Sequence, residues 1–161
     1  MPEINYWHEV LISLRRIIRA TDLQSKRMMK SCGLTIPQAM VLRAIDALGD
    51  VTVKRISDDV SLSQATVTTI LNRLESRSLV SRSRSQRDRR VVNARLTDKG
   101  REVLAAAPPL LHEQFIEHFE SLQDWEKTQI LSALQRVAVM MDAESIDAAP
   151  MPDIAAPEPH G

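Results

Sequence analysis

Five arginines stand within the nine residues Arg82-Ser83-Arg84-Ser85-Gln86-Arg87-Asp88-Arg89-Arg90, with a single acid among them. Charges so crowded repel one another unless an anion neutralises them, and the phosphate backbone of nucleic acid is the commonest partner able to do so. Arg84, Arg87, Arg89 and Arg90 are therefore candidate contacts to double-stranded DNA. Asp88 is placed to orient Arg90. An arginine held by a neighbouring carboxylate loses less side-chain freedom on entering a narrow minor groove, whereas the looser Arg87 and Arg89 suit phosphates. The formal net charge of the 161-residue chain is zero, with 21 basic and 21 acidic residues, yet Lys54 to Arg101 holds twelve basic residues and five acidic ones. A basic module is thus embedded in acidic surroundings, the asymmetry expected when one face meets nucleic acid and the remainder keeps the molecule soluble.

Other reactive chemistry is sparse. Glu113 and Glu117 share a helical face, but His112 and His118 are six residues apart and diverge, so solvated helix surface is the default and no metal site is expected. No serine or histidine spacing assembles a nucleophile, base and oxyanion site, and four glycines supply no phosphate-binding loop. Neither an enzyme nor a cofactor is expected. The lone cysteine, Cys32, excludes an internal disulfide and points to a reducing compartment; a plain buried thiol is favoured over a redox sensor. Glu3 and Glu9 stand ahead of the apolar run that starts at Val10 and Arg15-Arg16 interrupt it, which does not fit a signal peptide, and no apolar run approaches a membrane span. A cytoplasmic protein with no membrane partner is the expectation.

The arginine segment needs elements to aim it. A helix is expected over about Ser63 to Arg77, burying Val67, Ile70, Leu71 and Leu74 at helical spacing. At 100° per residue the opposite face is Ala65, Thr69, Asn72 and Ser76, flanked by Thr66, Thr68 and Arg73. Short polar side chains allow close approach to the major-groove floor. Asn72 and Gln64 suit adenine edges, threonine methyls suit thymine methyls, and Arg73 suits phosphate or guanine. Before this helix, Ser61-Leu62-Ser63-Gln64 offers a turn with two possible N-caps, Ser61 and Ser63, after a short helix capped by Thr52 that buries Val53, Ile56 and Val60. After it, Leu79 to Arg84 and Val91 to Leu96 read as two strands of a hairpin whose tip carries the arginines. A helix-turn-helix followed by a hairpin is a winged helix.

A first helix is expected from about Asn5 to Ser31, with Trp7, Leu11, Leu14, Ile18, Thr21, Ser25 and Met28 on one stripe; its length suggests packing against another chain. Thr35-Ile36-Pro37-Gln38 opens a second helix with a capping box, and Gly49 stops it. A fifth helix follows Thr97 and is expected to kink at Ala105-Ala106-Ala107-Pro108-Pro109, and a sixth carries Ile130, Leu131, Leu134, Val137, Ala138 and Met141. These two supply more apolar stripe than one small lobe covers. After about Asp142 the composition turns to Ala, Pro, Asp and Glu, so residues 146–161 are expected to form a disordered acidic tail.

These residues carry a specific resemblance to the MarR family of bacterial transcription regulators (multiple antibiotic resistance regulator-like). It spans about the first nine-tenths of the chain and rests on the long first helix, on Leu34-Thr35-Ile36-Pro37-Gln38, and on Leu62-Ser63-Gln64-Ala65-Thr66-Val67 leading to Leu71-Asn72-Arg73-Leu74-Glu75. Asp88-Arg89-Arg90 resembles the family's Asp-x-Arg wing signature, and Leu96-Thr97-Asp98-Lys99-Gly100 its Leu-Thr-x-x-Gly helix start. One departure is Ser78, where the family often has glycine before the first wing strand.

The fold class expected is mainly α with a small β-hairpin: a winged helix-turn-helix with long N- and C-terminal dimerisation helices. Residues 1–145 would form the domain, with the DNA-binding lobe at about 35–100 and dimerisation helices at 1–31 and 101–142. The resemblance implies a homodimeric repressor released from a palindromic operator by a small effector, aromatic or carboxylate-bearing, for which Trp7 and Arg16 are candidates for stacking and charge pairing. The reactive cysteine of the family's peroxide-sensing branch lies well upstream of Cys32. Alternatives are a ligand-independent DNA-binding regulator and a metal- or thiol-dependent sensor.

Overall fold

The computed structural model describes residues 2–146. The expected acidic tail therefore lies, from residue 147 on, outside the described residues. The chain divides after Pro108 into two compact units.

The first unit begins with α1 (Tyr6–Cys32), which ends at Gly33 in the left-handed conformation, φ +67°. Thr35 caps α2 (Ile36–Leu48): its hydroxyl accepts from the Gln38 amide at 3.3 Å while the Gln38 carboxamide accepts from the Thr35 amide at 3.1 Å. This reciprocal box satisfies two of the orphan donors of a helix start. Thr52 caps α3 (Val53–Val60), and Ser63 caps α4 (Gln64–Ser76). Ser61 ends α3 in the left-handed region, φ 56°, so of the two expected N-caps only Ser63 acts as one. Val67, Leu71 and Leu74 of α4 are fully buried and Ile70 nearly so, alongside Val41, Leu42 and Ile45 of α2 and Ile56 of α3. Fully burying one such side chain contributes about 1.5–3 kcal/mol, so this three-helix core holds the turn between α3 and α4 in place.

The turn has its own clamp. Buried Ser57 donates its hydroxyl to the Leu62 carbonyl and accepts, at its own carbonyl, the Leu62 amide at 3.2 Å. Nothing in the sequence pattern separates this serine from an exposed one.

The wing is β2 (Val80–Arg84) and β3 (Val92–Leu96), paired antiparallel with Val80 opposite Leu96 and Arg84 opposite Val92. A strand not expected from the sequence, β1 (Val51–Thr52), pairs with the other edge of β3, giving the order β1-β3-β2. Two residues carry too little pattern to signal a strand; non-local pairing with Ala94 and Asn93 makes it one. Asp50 reinforces this edge through a 3.0 Å ion pair with Arg95.

α5 (Asp98–Ala105) starts from a Thr97 cap. The helix expected to kink at the proline pair instead ends there, because two successive residues lacking an amide donor, each clashing with the preceding turn, leave no ladder to resume. The second unit then holds α6 (Leu111–Glu120) and α7 (Asp124–Met140), so the described residues contain seven helices where six were expected. The stripe assigned to a sixth helix lies on α7, where Leu131 and Leu134 are 56% and 49% exposed. Within this unit Phe115 and Phe119 stack at 5.1 Å, and Lys127 sits near the Phe119 ring while pairing with Glu120 at 2.9 Å.

Candidate nucleic-acid interface

α4 presents its candidate residues to solvent: Gln64, Ala65, Thr68, Thr69, Asn72 and Arg73 are exposed, and Thr66 is half-buried. Ser63 accepts from the Thr66 amide at 3.1 Å, and the two hydroxyls share a 2.8 Å hydrogen bond, so this pair is tied into the cap. Thr68 and Thr69 donate their hydroxyls back to the carbonyls of Gln64 and Ala65, at 2.8 and 3.1 Å. Their hydrogens are spent on the helix, which leaves methyl groups and oxygen lone pairs for a partner. The face is therefore short-chained, with Gln64, Asn72 and Arg73 its longer polar side chains.

The wing loop is closed by the Ser85 amide donating to Val91 at 2.9 Å and the Val91 amide donating to Asp88 at 3.0 Å. Arg84, Arg87, Asp88, Arg89 and Arg90 are all exposed around it. Asp88 was expected to hold the Arg90 side chain. Its carboxylate instead accepts from the Arg90 backbone amide at 3.0 Å, an Asx turn that shapes the loop and leaves the guanidinium to solvent. The aspartate still directs Arg90, through its main chain.

Arg82, the first of the five clustered arginines, is not available to a partner. From β2 it reaches back to α4, donating through Nε to Glu75 Oε2 at 3.0 Å and through Nη2 to Asn72 Oδ1 at 2.6 Å. Hydrogen bonding from Arg82 holds the Glu75 carboxyl below its ordinary value. The wing is thus latched to α4 by residues on its exposed side, a contact no local sequence pattern announces, since the partners lie seven and ten residues apart on different elements.

The Leu-Thr-x-x-Gly segment also serves positioning. The Thr97 amide donates to Leu79 O at 3.1 Å, its hydroxyl to Ser78 O at 2.6 Å, and the Lys99 ammonium to Arg77 O at 3.1 Å. Three successive carbonyls after α4 are therefore taken by the start of α5. Gly100 completes the fit: a Cβ there would lie 2.1 Å from the Leu79 carbonyl oxygen. At the far side, Arg77 donates to Gly33 O at 2.8 Å, capping the end of α1.

The remaining candidates stand apart. Trp7 is exposed beside His8, their rings edge to face at 5.7 Å. Arg16, nine positions along the same helix, lies half a turn out of phase, on the opposite face. Cys32 is half-buried and donates to the Met28 carbonyl at 3.2 Å. Glu113 accepts from the Leu110 amide at 3.2 Å, and among the described residues no group of three His, Cys, Asp or Glu side chains is placed to hold a metal ion.

A helix-turn-helix whose second helix exposes a short polar face, joined to an arginine-tipped wing, matches the model of the MarR family over residues 34–92. The uncharacterized HTH-type transcriptional regulator YwhA of Bacillus subtilis (strain 168) is 36% identical over 104 residues, spanning 63% of this chain and 73% of YwhA. The chain belongs to the MarR family. It is a DNA-binding transcription regulator, not an enzyme. The HTH-type transcriptional repressor MdtR of Bacillus subtilis (strain 168) is 28% identical over 121 residues, spanning 71% of this chain and 78% of MdtR. Among solved structures, that of Bordetella bronchiseptica BpsR, described as a mechanism for regulation of DNA binding by 6-hydroxynicotinic acid, matches with a TM-score of 0.55 and 26% identity over 81% of this chain and 98% of BpsR. Among the described residues of this MarR regulator, no helix is long and apolar enough to cross a membrane.

Proposed function

We propose that this MarR regulator is a cytoplasmic homodimeric repressor that reads a palindromic operator and is released from it by a small aromatic or carboxylate-bearing effector. The observation that carries the reading is the pairing of α4 with four exposed arginines of one hairpin, Arg84, Arg87, Arg89 and Arg90, set beside it by the Arg82 latch. α4 enters the major groove, with Ser63, Gln64, Ala65, Thr66, Thr68, Thr69, Asn72 and Arg73 at or near the DNA, while the wing reaches the neighbouring minor groove, whose negative potential draws arginine. Repression is supported by likeness to MdtR, and effector control by likeness to BpsR.

Release is geometric. A ligand bound to the dimer would change the separation of the two recognition helices, so that both cannot enter successive grooves. Trp7 and Arg16, on opposite faces of α1, would meet one molecule only if contributed by different protomers.

Binding isotherms on duplexes retained from genomic fragments test the assignment. Arg90→Ala is expected to cost about 1–3 kcal/mol of operator affinity, and Arg87→Ala mainly to lower the salt slope by about one unit. Operator binding by Arg90→Ala equal to that of the parent would overturn the wing's role. A panel of aromatic acids that neither releases operator DNA nor shifts the melting temperature would favour a regulator controlled by its abundance alone.

A further inference from the structure

The carboxamide of Asn72 is not a free amide. Arg82 Nη2 donates to its Oδ1 at 2.6 Å, and that guanidinium is itself fixed by Glu75 at 3.0 Å and 3.4 Å through two donors. The orientation is forced by chemistry: arginine has five N–H donors and no acceptor, so the carboxamide must turn its oxygen towards Arg82 and its NH2 away. Arg82 is mostly buried, its side chain 22% exposed, which keeps this geometry from being one of many.

We propose that Asn72 reads the major groove as a donor, selecting a G·C pair through the acceptors N7 and O6 of guanine, with Arg82 as the positioning residue that sets this choice. The usual asparagine contact to adenine needs the amide oxygen to accept from N6 while the nitrogen donates to N7. Here the oxygen already carries a cationic donor, and a second donor from adenine would approach a guanidinium. Guanine presents two neighbouring acceptors and no donor on that edge, the complement of what Asn72 leaves outward. The proposal rests on the reading of α4 as the groove helix.

Selection from randomised duplexes, run in parallel with the parent protein and with Asn72→Ala, Arg82→Ala, Gln64→Ala and Thr68→Ala, tests both levels. The expected result is one position per half-site whose G·C preference disappears in Asn72→Ala. At that position 7-deazaguanine should weaken the parent by about fivefold or more and leave Asn72→Ala unaffected. Arg82→Ala, which frees the oxygen, should shift the same position towards A·T; a uniform affinity loss with the G·C preference intact would reduce Arg82 to a structural part and overturn its positioning role. An A·T preference at the Asn72-dependent position in the parent overturns the proposal. So does an unchanged specificity in Asn72→Ala while Gln64→Ala or Thr68→Ala alters theirs, which leaves α4 in the groove. If none of the α4 substitutions changes any preference, the groove assignment fails and this inference with it.

Discussion

Thr97 and Gly100 show how few atoms fix the wing. One threonine hydroxyl accepts the Gly100 amide at 3.0 Å and donates to Ser78 O at 2.6 Å, so the cap of α5 is also the anchor of the α4–β2 turn. Gly100 must be glycine because the Leu79 carbonyl occupies the space of a side chain. Gly100→Ala should therefore destabilise the fold by about 1–3 kcal/mol or more, since a backbone carbonyl that also accepts from Thr97 has to move. Urea unfolding would measure this, and an unchanged midpoint would show that the approach is looser than described. Glu75 offers a second check. Its carboxyl is held below the ordinary value of 4.5 by Arg82, so the latch contributes fully above that value and fades as pH falls through the lower folded-state value. The expected loss of stability in acid should be smaller in Glu75→Gln than in the parent. At an exposed pair the difference is modest, and added salt should reduce it.

Helix α4 ends in a six-residue cap that places the wing. Ser78, at φ +60°, donates its amide to Glu75 O at 2.9 Å, and the Leu79 amide donates to Leu74 O at 3.0 Å. This is the Schellman arrangement, with Leu74 and Leu79 both buried beneath it, and it works with serine where glycine would be easier. Ser78→Gly should raise stability by about 0.5–1 kcal/mol: removal of left-handed strain outweighs the extra freedom of the unfolded chain. A fall in melting temperature would instead mean that the serine side chain supplies something this geometry does not explain. Elements of this kind were legible where the pattern was local. The four buried positions of α4, the Thr35 box and the Thr97 cap all follow from spacing within a few residues. The two-residue β1, the end of α5 at the prolines, buried Ser57 and the Arg82–Asn72 contact were not. Each depends on a partner that the chain brings back from another element, or, at Pro108 and Pro109, on whether packing rescues a broken helix.

At the scale of the molecule, the exposed apolar surface is the outstanding debt of a single chain. On α1, Trp7, Ile17 and Ile18 are 65%, 58% and 56% exposed; on α7, Leu131, Leu134 and Met140 are 56%, 49% and 72% exposed. Isolated apolar residues on a surface need no explanation, but runs of them on the first and last long helices are the surfaces that the proposed dimer would cover. A second copy is the occupant the palindrome-reading proposal requires, because a single winged lobe reads only one half-site. The protein should therefore scatter light as a dimer at micromolar concentration. Leu131→Glu combined with Leu134→Glu separates burial from chance exposure. If these side chains face water, two glutamates there change stability by only about 0.5 kcal/mol each and leave the mass unchanged. If they face a partner, burying the charges is prohibitive, so the variant should run as a folded monomer and lose operator affinity far more than affinity for random duplex. A parent protein that is already a stable monomer would remove the basis for two-site reading, and with it the geometric account of release.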